Sequence, residues 1–365
     1  MSERLRDAVV VGAGPAGLSF AIAAAGRGLD VTVLERRGAG PLDKACGEGL
    51  LPGGVRALER LGVLPLVPAS ERAPISEIRW IEATGEVARL RLPPPGGVGI
   101  RRLALSAALL DRARTAGVEV VPDADVTLHR RDGGAIRAVT TDRSFPARVL
   151  VAADGLGSSA RRREGLDVAA PTRPRFGIRR HYAVPPWADA VEVHFGPGAE
   201  AYVTPAGEGR VGVAILYERT DAVSFDRLLE RFPALARLVA SAPHDSIVRG
   251  AGPFDRRATA RVADRLVLLG DAAGYVDAVT GDGLALAIGC AEDLAGILPA
   301  ALARGATREA LRPYEAAWRR RFRPYAAWTR AMLALSRHPR VRRRVLALAA
   351  ARPAPFERVV AAAVG

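Results

Sequence analysis

The chain has 365 residues, 49% hydrophobic and 25% charged, which is typical of a soluble, globular protein with a large core and two domains. Its two cysteines, Cys46 and Cys290, exclude a disulfide framework and favour a reducing cytoplasm. The first residues lack the charged-then-apolar pattern of a signal peptide, so we expect none. The net charge is +14, but the basic residues are spread out and no recognition motif accompanies them, so we expect no nucleic-acid partner.

The N-terminal residues predict a strand, a helix and a second strand in close succession. An apolar run at 8–11 indicates a buried parallel strand, residues 15–27 an alanine-rich helix, and residues 30–34 a strand that ends at Glu35. A Gly-x-Gly-x-x-Gly motif joins the first strand to the helix. In a βαβ unit of about thirty residues this motif predicts a dinucleotide site.

Each glycine of this motif has its own expected role. We expect Gly12 to permit the tight turn, Gly14 to let a diphosphate approach the backbone, and Gly17 to let helix and strand pack closely. The helix N-terminus offers unpaired N–H groups and the positive end of a dipole, which suit phosphate. Glu35 stands where a carboxylate would accept hydrogen bonds from ribose hydroxyls.

The rest of the chain alternates between helical and strand-like patterns, with glycine and proline at the breaks. A glycine-rich loop at 41–54 contains Lys44, Cys46 and Glu48. Glu292 and Asp293 interrupt the apolar helix predicted at 284–303, so we expect this helix not to span a bilayer. The further predicted elements are a helix at 53–61, a hairpin at 76–92 that turns at Thr84-Gly85, a proline-rich break at 93–97, a helix at 102–116, strands at 118–121 and 149–152, an antiparallel meander within 175–216, helical sequence at 224–241, a strand at 265–269, and a helix at 284–303 followed by further helices.

This order predicts a discontinuous nucleotide-binding domain into which a β-sheet domain is inserted. A ligand would then lie at the junction of the two domains, where small-molecule pockets tend to form. The predicted boundaries are 1–75, 98–168 and 250–295 for the cofactor domain, 76–97 and 169–249 for the substrate domain, and 296–365 for a C-terminal helical region.

Two more glycine motifs follow the first, so that the three lie at 10–17, 153–161 and 268–283. The motifs and their order resemble the FAD-dependent monooxygenase superfamily, which contains p-hydroxybenzoate hydroxylase, geranylgeranyl and other polyprenyl reductases, and flavin halogenases. The resemblance covers about residues 7–295. It implies an α/β fold: a Rossmann-like FAD-binding domain with an inserted antiparallel β-sheet substrate domain and C-terminal helices.

The resemblance also assigns residues to FAD. It implies that Arg102 reaches the FAD phosphate region and that Asp271 contacts the ribityl and pyrophosphate part. A helix that starts near Leu284 would direct its N–H groups at the flavin pyrimidine edge. No second nucleotide-binding fold follows, so NADPH or NADH would bind transiently, and no metal is expected. The predicted FAD-binding residues are Gly12, Gly14, Ala16, Gly17, Glu35, Arg36, Cys46, Gly47, Arg102, Asp154, Gly155, Gly270, Asp271, Gly281, Gly283 and Leu284.

Departures from the family motifs leave the branch open. Aromatic hydroxylases usually have histidine where this chain has Gly274, and the loop at 44–50 is more similar to the polyprenyl-reductase branch. That branch usually carries a Gly-Tyr-x-Trp-x-Phe-Pro stretch, whereas the corresponding run at 200–205 contains no tryptophan. The tryptophan-halogenase signature is absent from the sequence.

We therefore favour an NAD(P)H-driven monooxygenase that uses molecular oxygen to hydroxylate an aromatic or polyketide-like molecule of secondary metabolism. His181, His194 and Tyr202 lie on predicted strands and are candidates for its general base. Lys44 is the only lysine of the chain, and its retention indicates a site where a guanidinium would not fit. The candidate catalytic residues are therefore Cys46, Lys44 and Tyr202.

Two alternatives stay open. The first is a reductase that saturates double bonds of a polyprenyl or other lipid chain, with Cys46 as the proton donor. The second is a non-catalytic flavoprotein, or one that docks weakly on a membrane surface. Residues 337–352 support that docking because they place arginines beside valine and leucine, which is the pattern of a basic amphipathic helix. These arginines are Arg337, Arg340, Arg342, Arg343 and Arg344.

Overall fold

The computed structural model describes residues 4–83, 85–169, 174–218 and 224–352. Thr84 of the predicted hairpin turn and the last thirteen residues of the predicted C-terminal region lie outside these ranges. The strands of the described residues are β1 (Arg6–Val11), β2 (Val31–Leu34), β3 (Gly49–Leu50), β4 (Arg72–Ile75), β5 (Glu77–Glu82), β6 (Gly85–Arg91), β7 (Gly97–Ile100), β8 (Glu119–Val121), β9 (Leu128–Asp132), β10 (Ala135–Val139), β11 (Ser144–Ala152), β12 (Arg175–Tyr182), β13 (Ala190–Gly196), β14 (Ala199–Pro205), β15 (Val211–Glu218), β16 (Arg249–Ala251), β17 (Val262–Ala263) and β18 (Leu266–Leu268).

The helices pack on the first sheet, on the second sheet or against one another. Those of the described residues are α1 (Pro15–Ala25), α2 (Pro52–Arg60), α3 (Arg102–Thr115), α4 (Ser159–Arg163), α5 (Phe225–Leu229), α6 (Pro233–Val239), α7 (Gly283–Ala303), α8 (Arg308–Arg337) and α9 (Pro339–Ala351). The protein is thus α/β, with a Rossmann-like domain, an additional sheet and C-terminal helices, as predicted.

The first sheet carries the nucleotide-binding topology. Its strands lie in the order β17-β18-β11-β1-β2-β8, and β1 pairs in parallel with both β2 and β11. Strands β9 and β10 extend the sheet from β11 by antiparallel pairing. The apolar faces of α1, α3 and α7 pack into one core with this sheet, which explains why β1 and β2 are almost uniformly hydrophobic.

The second sheet lies in the order β16-β12-β15-β14-β13-β5-β6. The hairpin of β5 and β6 therefore joins the meander in one sheet, as expected, but it does so by parallel pairing of β5 with β13. The sheet is consequently mixed at this position rather than wholly antiparallel. A small third sheet, in the order β3-β7-β4, was not predicted.

The helical sequence predicted at 224–241 forms two helices and not one. Two short helices, α5 and α6, occupy this segment, and Pro233 begins the second of them. Proline has no N–H to donate and is favoured in the first turn of a helix, so a new helix starts there. Phe225, Leu228 and Leu235 nevertheless pack together on the second sheet.

Helix α7 is long and apolar enough to cross a membrane by length and composition alone. Half of its most apolar segment is buried inside the protein, because α7 packs against α1, α2 and α8. Its apolar character is accounted for by these contacts, as in a core helix.

Candidate functional site

A cleft of about 290 Å³ lies between the two large sheets. The loop after β1, the loop before β3 and the start of α3 form its nucleotide-domain side. The second sheet and α8 form the opposite side. The predicted site residues that line it are Gly14, Ala16, Lys44, Cys46, Gly47, Arg102, Gly155, Tyr202, Gly270, Asp271, Gly281, Gly283 and Leu284.

The first glycine motif has the geometry that its expected roles require. Gly12 has a φ of +107°, a conformation that favours glycine. A Cβ on Gly17 would lie 2.1 Å from the Gly12 carbonyl oxygen, so Gly17 is needed for helix packing. A Cβ on Gly14 would meet no atom within 4 Å, since this glycine faces the cleft. The N-terminus of α1 is therefore open to an anion.

Glu35 lies behind this glycine turn, at the end of β2. Its carboxylate accepts hydrogen bonds from the backbone N–H groups of Ala13 at 2.8 Å and Arg37 at 3.1 Å. Glu35 also lines a second, smaller cavity beside Arg114. The neighbouring Arg36 is exposed and is not among the lining residues of either cavity, so the structure does not bring this predicted residue to the site.

The second motif is held together by buried polar contacts. Asp154 accepts hydrogen bonds from the N–H groups of Ser159 at 2.8 Å and Ala160 at 3.2 Å. Arg161 is buried and donates to Asp167 at 2.6 Å and to the carbonyl of Ala272 at 3.0 Å. Arg161 thus ties the second motif to the third instead of reaching into the cleft.

Charged groups collect where a diphosphate would lie. Arg102, the first residue of α3, is only 5% exposed, and its Nε has no hydrogen-bond partner among the described residues. Burial raises the pKa of Asp271, against the opposing charges of Lys44 and Arg102. Burial in the cleft walls and the charge of Arg102 lower the pKa of Lys44. A buried guanidinium with an unpaired Nε, lining the same cleft as an open helix N-terminus, fits the diphosphate of FAD.

The third motif places the start of α7 at the cleft. Gly281 has a φ of +73° and open space around its Cα, and Gly283 and Leu284 begin the 21-residue helix. The ring of Tyr275, which sequence reasoning missed, lies 3.2 Å from the position of a Cβ on Gly283 and lines the cleft. The free N–H groups of α7 can therefore meet negative charge on a flavin ring.

A buried ionic network attaches the 43–50 loop to the second sheet. Glu48, at a φ of +62°, contacts His181 Nε2 through Oε2 at 2.5 Å and accepts from the Arg102 N–H through Oε1 at 2.9 Å. Arg179 contacts His181 Nδ1 at 3.0 Å and donates to Asp43 at 2.5 Å. Sequence reasoning missed Glu48 and Arg179 as site residues, because their partners lie far away along the chain.

This network holds Cys46 at the cleft wall. Its sulfur accepts a hydrogen bond from the Glu48 N–H at 3.4 Å. Burial raises the pKa of the Cys46 thiol, and the charge of Arg102 opposes that effect only in part. The thiol therefore keeps its proton at neutral pH, which suits a proton donor and not a thiolate nucleophile.

The other polar candidates are already engaged. Tyr202 lines the cleft, but its hydroxyl donates to the Val279 carbonyl at 3.0 Å, and burial holds its pKa well above the usual value. His194 pairs with Glu192 at 3.1 Å. Neither His194 nor His181 is among the described residues that line the cleft, so their interpretation as general bases is not supported by their position.

The far end of the cleft is apolar. The second sheet and α8 supply this wall, and Trp80 and Val193 continue from it into a buried cluster with Leu346 of α9. The apolar lining residues on this side are Ile78, Trp80, Val191, Val193, Leu216, Phe254, Trp328 and Met332. Among the described residues, no cluster of three or more His, Cys, Asp or Glu could hold a metal ion.

Comparison with known proteins settles the family. A family model described as FAD binding domain matches residues 6–329. The chain belongs to this FAD-binding-domain family. The resemblance that the three glycine motifs indicated is confirmed, and the protein is an FAD-dependent oxidoreductase. The identity of its reductant stays a prediction.

This FAD-dependent oxidoreductase is similar to named reductases and halogenases. Digeranylgeranylglycerophospholipid reductase 1 of Methanopyrus kandleri is 31% identical over 345 residues, which cover 87% of each chain. A geranylgeranyl bacteriochlorophyll reductase-like protein of Thermoplasma acidophilum has a TM-score of 0.74 at 21% identity, covering 87% of this chain and 84% of its own. Halogenase PltM in complex with phloroglucinol and FAD has a TM-score of 0.74 at 17% identity, covering 85% and 73%. The two structural matches show a shared fold.

Proposed function

We propose that the protein is an FAD-dependent reductase that saturates carbon–carbon double bonds in the polyprenyl chain of a lipid. The observation that carries this proposal is the 31% identity, along 87% of both chains, to a relative named as a lipid reductase. That name supports the reductase alternative of the sequence analysis better than the monooxygenase favoured there.

The walls of the cleft support a hydrocarbon substrate. Trp80, Val193 and Trp328 present apolar surface at the end opposite to the diphosphate region. Burial of a polyprenyl chain against such a surface is favourable, because it removes apolar area from water. The chain also has no polar group that needs a hydrogen-bond partner. A phenolic substrate would require a base near its hydroxyl, and the two histidines considered for that role do not line the cleft.

The residues of the first and third motifs would hold FAD. The N–H groups at the start of α1 and the Arg102 guanidinium would bind its diphosphate, while Gly281 and Gly283 would let its ring lie against the backbone. Bound FAD supplies the hydride chemistry that no side chain can provide. Lys44 lies close enough to Asp271 and Arg102 for their charges to act on its pKa, and we assign it to this cofactor region.

Saturation of a double bond also requires a proton, and Cys46 is the group that we assign to deliver it. Its Sγ holds a proton at neutral pH, because burial raises the pKa of the thiol. The apolar wall excludes competing water from the reacting carbons. Tyr202 would act by position: its hydroxyl ties the sheet to the Val279 carbonyl, next to the glycine turn before α7.

The experiment that tests the proposal is an anaerobic product assay in detergent. The FAD-loaded protein is mixed with a geranylgeranyl glycerophospholipid and, in separate arms, with NADPH, NADH or dithionite. We expect a lipid product that has gained two hydrogens per reduced bond, without oxygen. A parallel aerobic arm contains NAD(P)H and a panel of phenols. Oxygen-dependent hydroxylation in that arm, together with an unchanged lipid in every anaerobic arm, would overturn the proposal in favour of the monooxygenase.

The reductant and the cellular location belong to the same proposal. We propose NADPH or NADH as a transient reductant and a cytoplasmic location. Comparison of the NADPH and NADH arms identifies the preferred reductant.

A further inference from the structure

Helix α9 exposes an apolar stripe to solvent. Val341 is 53% exposed, Val345 38% and Leu348 61%. Their spacing of four and three residues places them on one side of the helix. Arg340 and Arg344 are also exposed and lie beside this stripe on the helix circumference. We call these five residues the outer face of α9.

The opposite face of α9 is anchored in the protein. Arg342 is buried, and its guanidinium donates to Glu82 at 2.6 and 3.1 Å and stacks over the Phe195 ring at 3.9 Å. Leu346 is 2% exposed and packs with Trp80. These contacts fix the rotation of the helix about its axis, so the outer face is held toward solvent by the fold.

The charge of α9 has one sign. The described residues of the helix include four arginines and no acidic side chain. Arg342 is neutralised by Glu82, and Arg343 lies 3.8 Å from the same carboxylate. Arg340 and Arg344 therefore carry most of the uncompensated charge, next to exposed valine and leucine. This combination complements an anionic lipid surface, where arginines meet headgroups and aliphatic side chains enter the acyl boundary.

The location of α9 connects this surface with the cleft. Leu346 belongs to the same buried cluster as Trp80 and Val193, which form the apolar wall of the cleft. A helix with its side chains is about 10–12 Å across, so the outer face lies roughly one helix diameter from that wall.

We propose that the outer face of α9 docks on an anionic lipid bilayer and brings the apolar end of the cleft to the membrane. The inference rests on the proposed function, since a polyprenyl lipid is stored in a bilayer and must leave it to be reduced. A helix lying in the interface at this position would shorten the path of the lipid tail from the bilayer to the cleft.

The test is co-sedimentation of the FAD-loaded protein with vesicles of phosphatidylcholine, with and without phosphatidylglycerol. We expect binding to the anionic vesicles and its loss at high salt. Arg340→Gln combined with Arg344→Gln should weaken partitioning about 30-fold, since one arginine near an anionic surface contributes about fivefold. Val345→Ser combined with Leu348→Ser should weaken it about tenfold through lost apolar burial.

A matched control removes the same charge elsewhere. Arg312 and Arg320 are exposed on α8, and Arg312→Gln combined with Arg320→Gln should bind vesicles as the wild type does. Equal weakening by both arginine pairs would overturn the proposal, because binding would then follow net charge alone. Vesicle binding that is absent, or that is unaffected by the α9 substitutions, would also overturn the proposal. A concentration-dependent dimer that is lost in the Val345→Ser, Leu348→Ser variant would instead assign the outer face of α9 to contact with a second copy of the chain.

Failure of docking and failure of the proposed function give different results. If the α9 variants reduce detergent-solubilised lipid at the wild-type rate but no longer reduce lipid in anionic vesicles, the docking proposal is supported. If the wild type reduces solubilised lipid but does not bind vesicles, docking is wrong and the reductase stands. If it binds vesicles but reduces no lipid in either form, the proposed function is wrong.

Discussion

Replacement of Gly14 by alanine isolates the binding of FAD from the stability of the fold. Gly14 has extended backbone angles that alanine can adopt, and its added Cβ would meet no protein atom within 4 Å. The substitution should therefore leave folding almost unchanged, within about 1 kcal/mol, because a weaker helix cap and a less flexible unfolded chain oppose each other.

The effect on FAD should be much larger. The new methyl group occupies the space through which the diphosphate reaches the N–H groups of α1. A hydrogen bond to a charged group contributes about 1.5–3 kcal/mol. Loss of one such bond corresponds to an FAD affinity about 10- to 150-fold weaker.

The assay is a calorimetric titration of the apoprotein with FAD, which measures FAD affinity. Thermal unfolding of the same samples measures the stability of the fold. Gly17→Ala is the matched control, because its Cβ would lie 2.1 Å from a backbone oxygen and should destabilise the fold by about 3 kcal/mol or more. A Gly14→Ala protein that folds normally and binds FAD as tightly as the wild type would refute the placement of the diphosphate at the N-terminus of α1.

Two further predictions concern the 43–50 loop, and a third concerns an ion pair of the nucleotide-binding domain. Cys46→Ala should lower the rate of lipid reduction about 10²- to 10⁴-fold in single-turnover assays, whereas Cys290→Ala, in the core of α7, should not. Glu48→Gln should lower the free energy of unfolding of the apoprotein by about 3 kcal/mol in urea, because it breaks the buried pair with His181. Burial alone would raise the pKa of Glu164, but contacts from neighbouring cations lower it from 4.5 to about 2. A lowered folded-state pKa stabilises above pH 4.5. At about 1.4 kcal/mol per pKa unit the shift corresponds to about 3 kcal/mol, which solvent screening of this partly exposed carboxylate reduces to about 2 kcal/mol. Glu164→Gln should therefore cost about 2 kcal/mol at pH 7 and progressively less as pH falls toward 2.

Each of these predictions has an outcome that contradicts it. Unchanged turnover of Cys46→Ala would remove this thiol from the reaction. An unchanged urea midpoint for Glu48→Gln would mean that the buried pair contributes nothing to folding. A stability loss in Glu164→Gln that is the same at pH 7 and pH 3 would show that ionisation of this carboxyl is not its cause.

The parallel-sheet domain could be predicted because its signals are local. The Gly12–Gly17 motif lies between a buried strand and a helix within one βαβ unit. Inside that unit, Gly12 adopts a φ of +107° and Gly17 packs directly against the Gly12 carbonyl oxygen. The third motif also has local signals, because Gly281 adopts a φ of +73° just before α7 and Gly283 begins this long apolar helix. Hydrophobic periodicity and glycine spacing carry this information without any knowledge of distant residues.

The polar part of the site could not be predicted in the same way. The sequence analysis treats His181 as a candidate base on a predicted strand, yet it is buried against Glu48, 133 residues earlier in the chain. The parallel pairing of β5 with β13 likewise joins strands that are distant in sequence. Such contacts depend on how the two sheets meet, and no local pattern in the sequence reports that arrangement.

The measurement that tests the central claim most directly is anaerobic single turnover of the reduced, FAD-loaded protein. The colourless reduced flavin is mixed with a geranylgeranyl glycerophospholipid in detergent, and the return of yellow absorbance is followed by stopped flow. The account predicts reoxidation at a rate that rises with lipid concentration, together with one saturated double bond per flavin. A flavin that stays reduced with the lipid and reoxidises only when oxygen is admitted would contradict it.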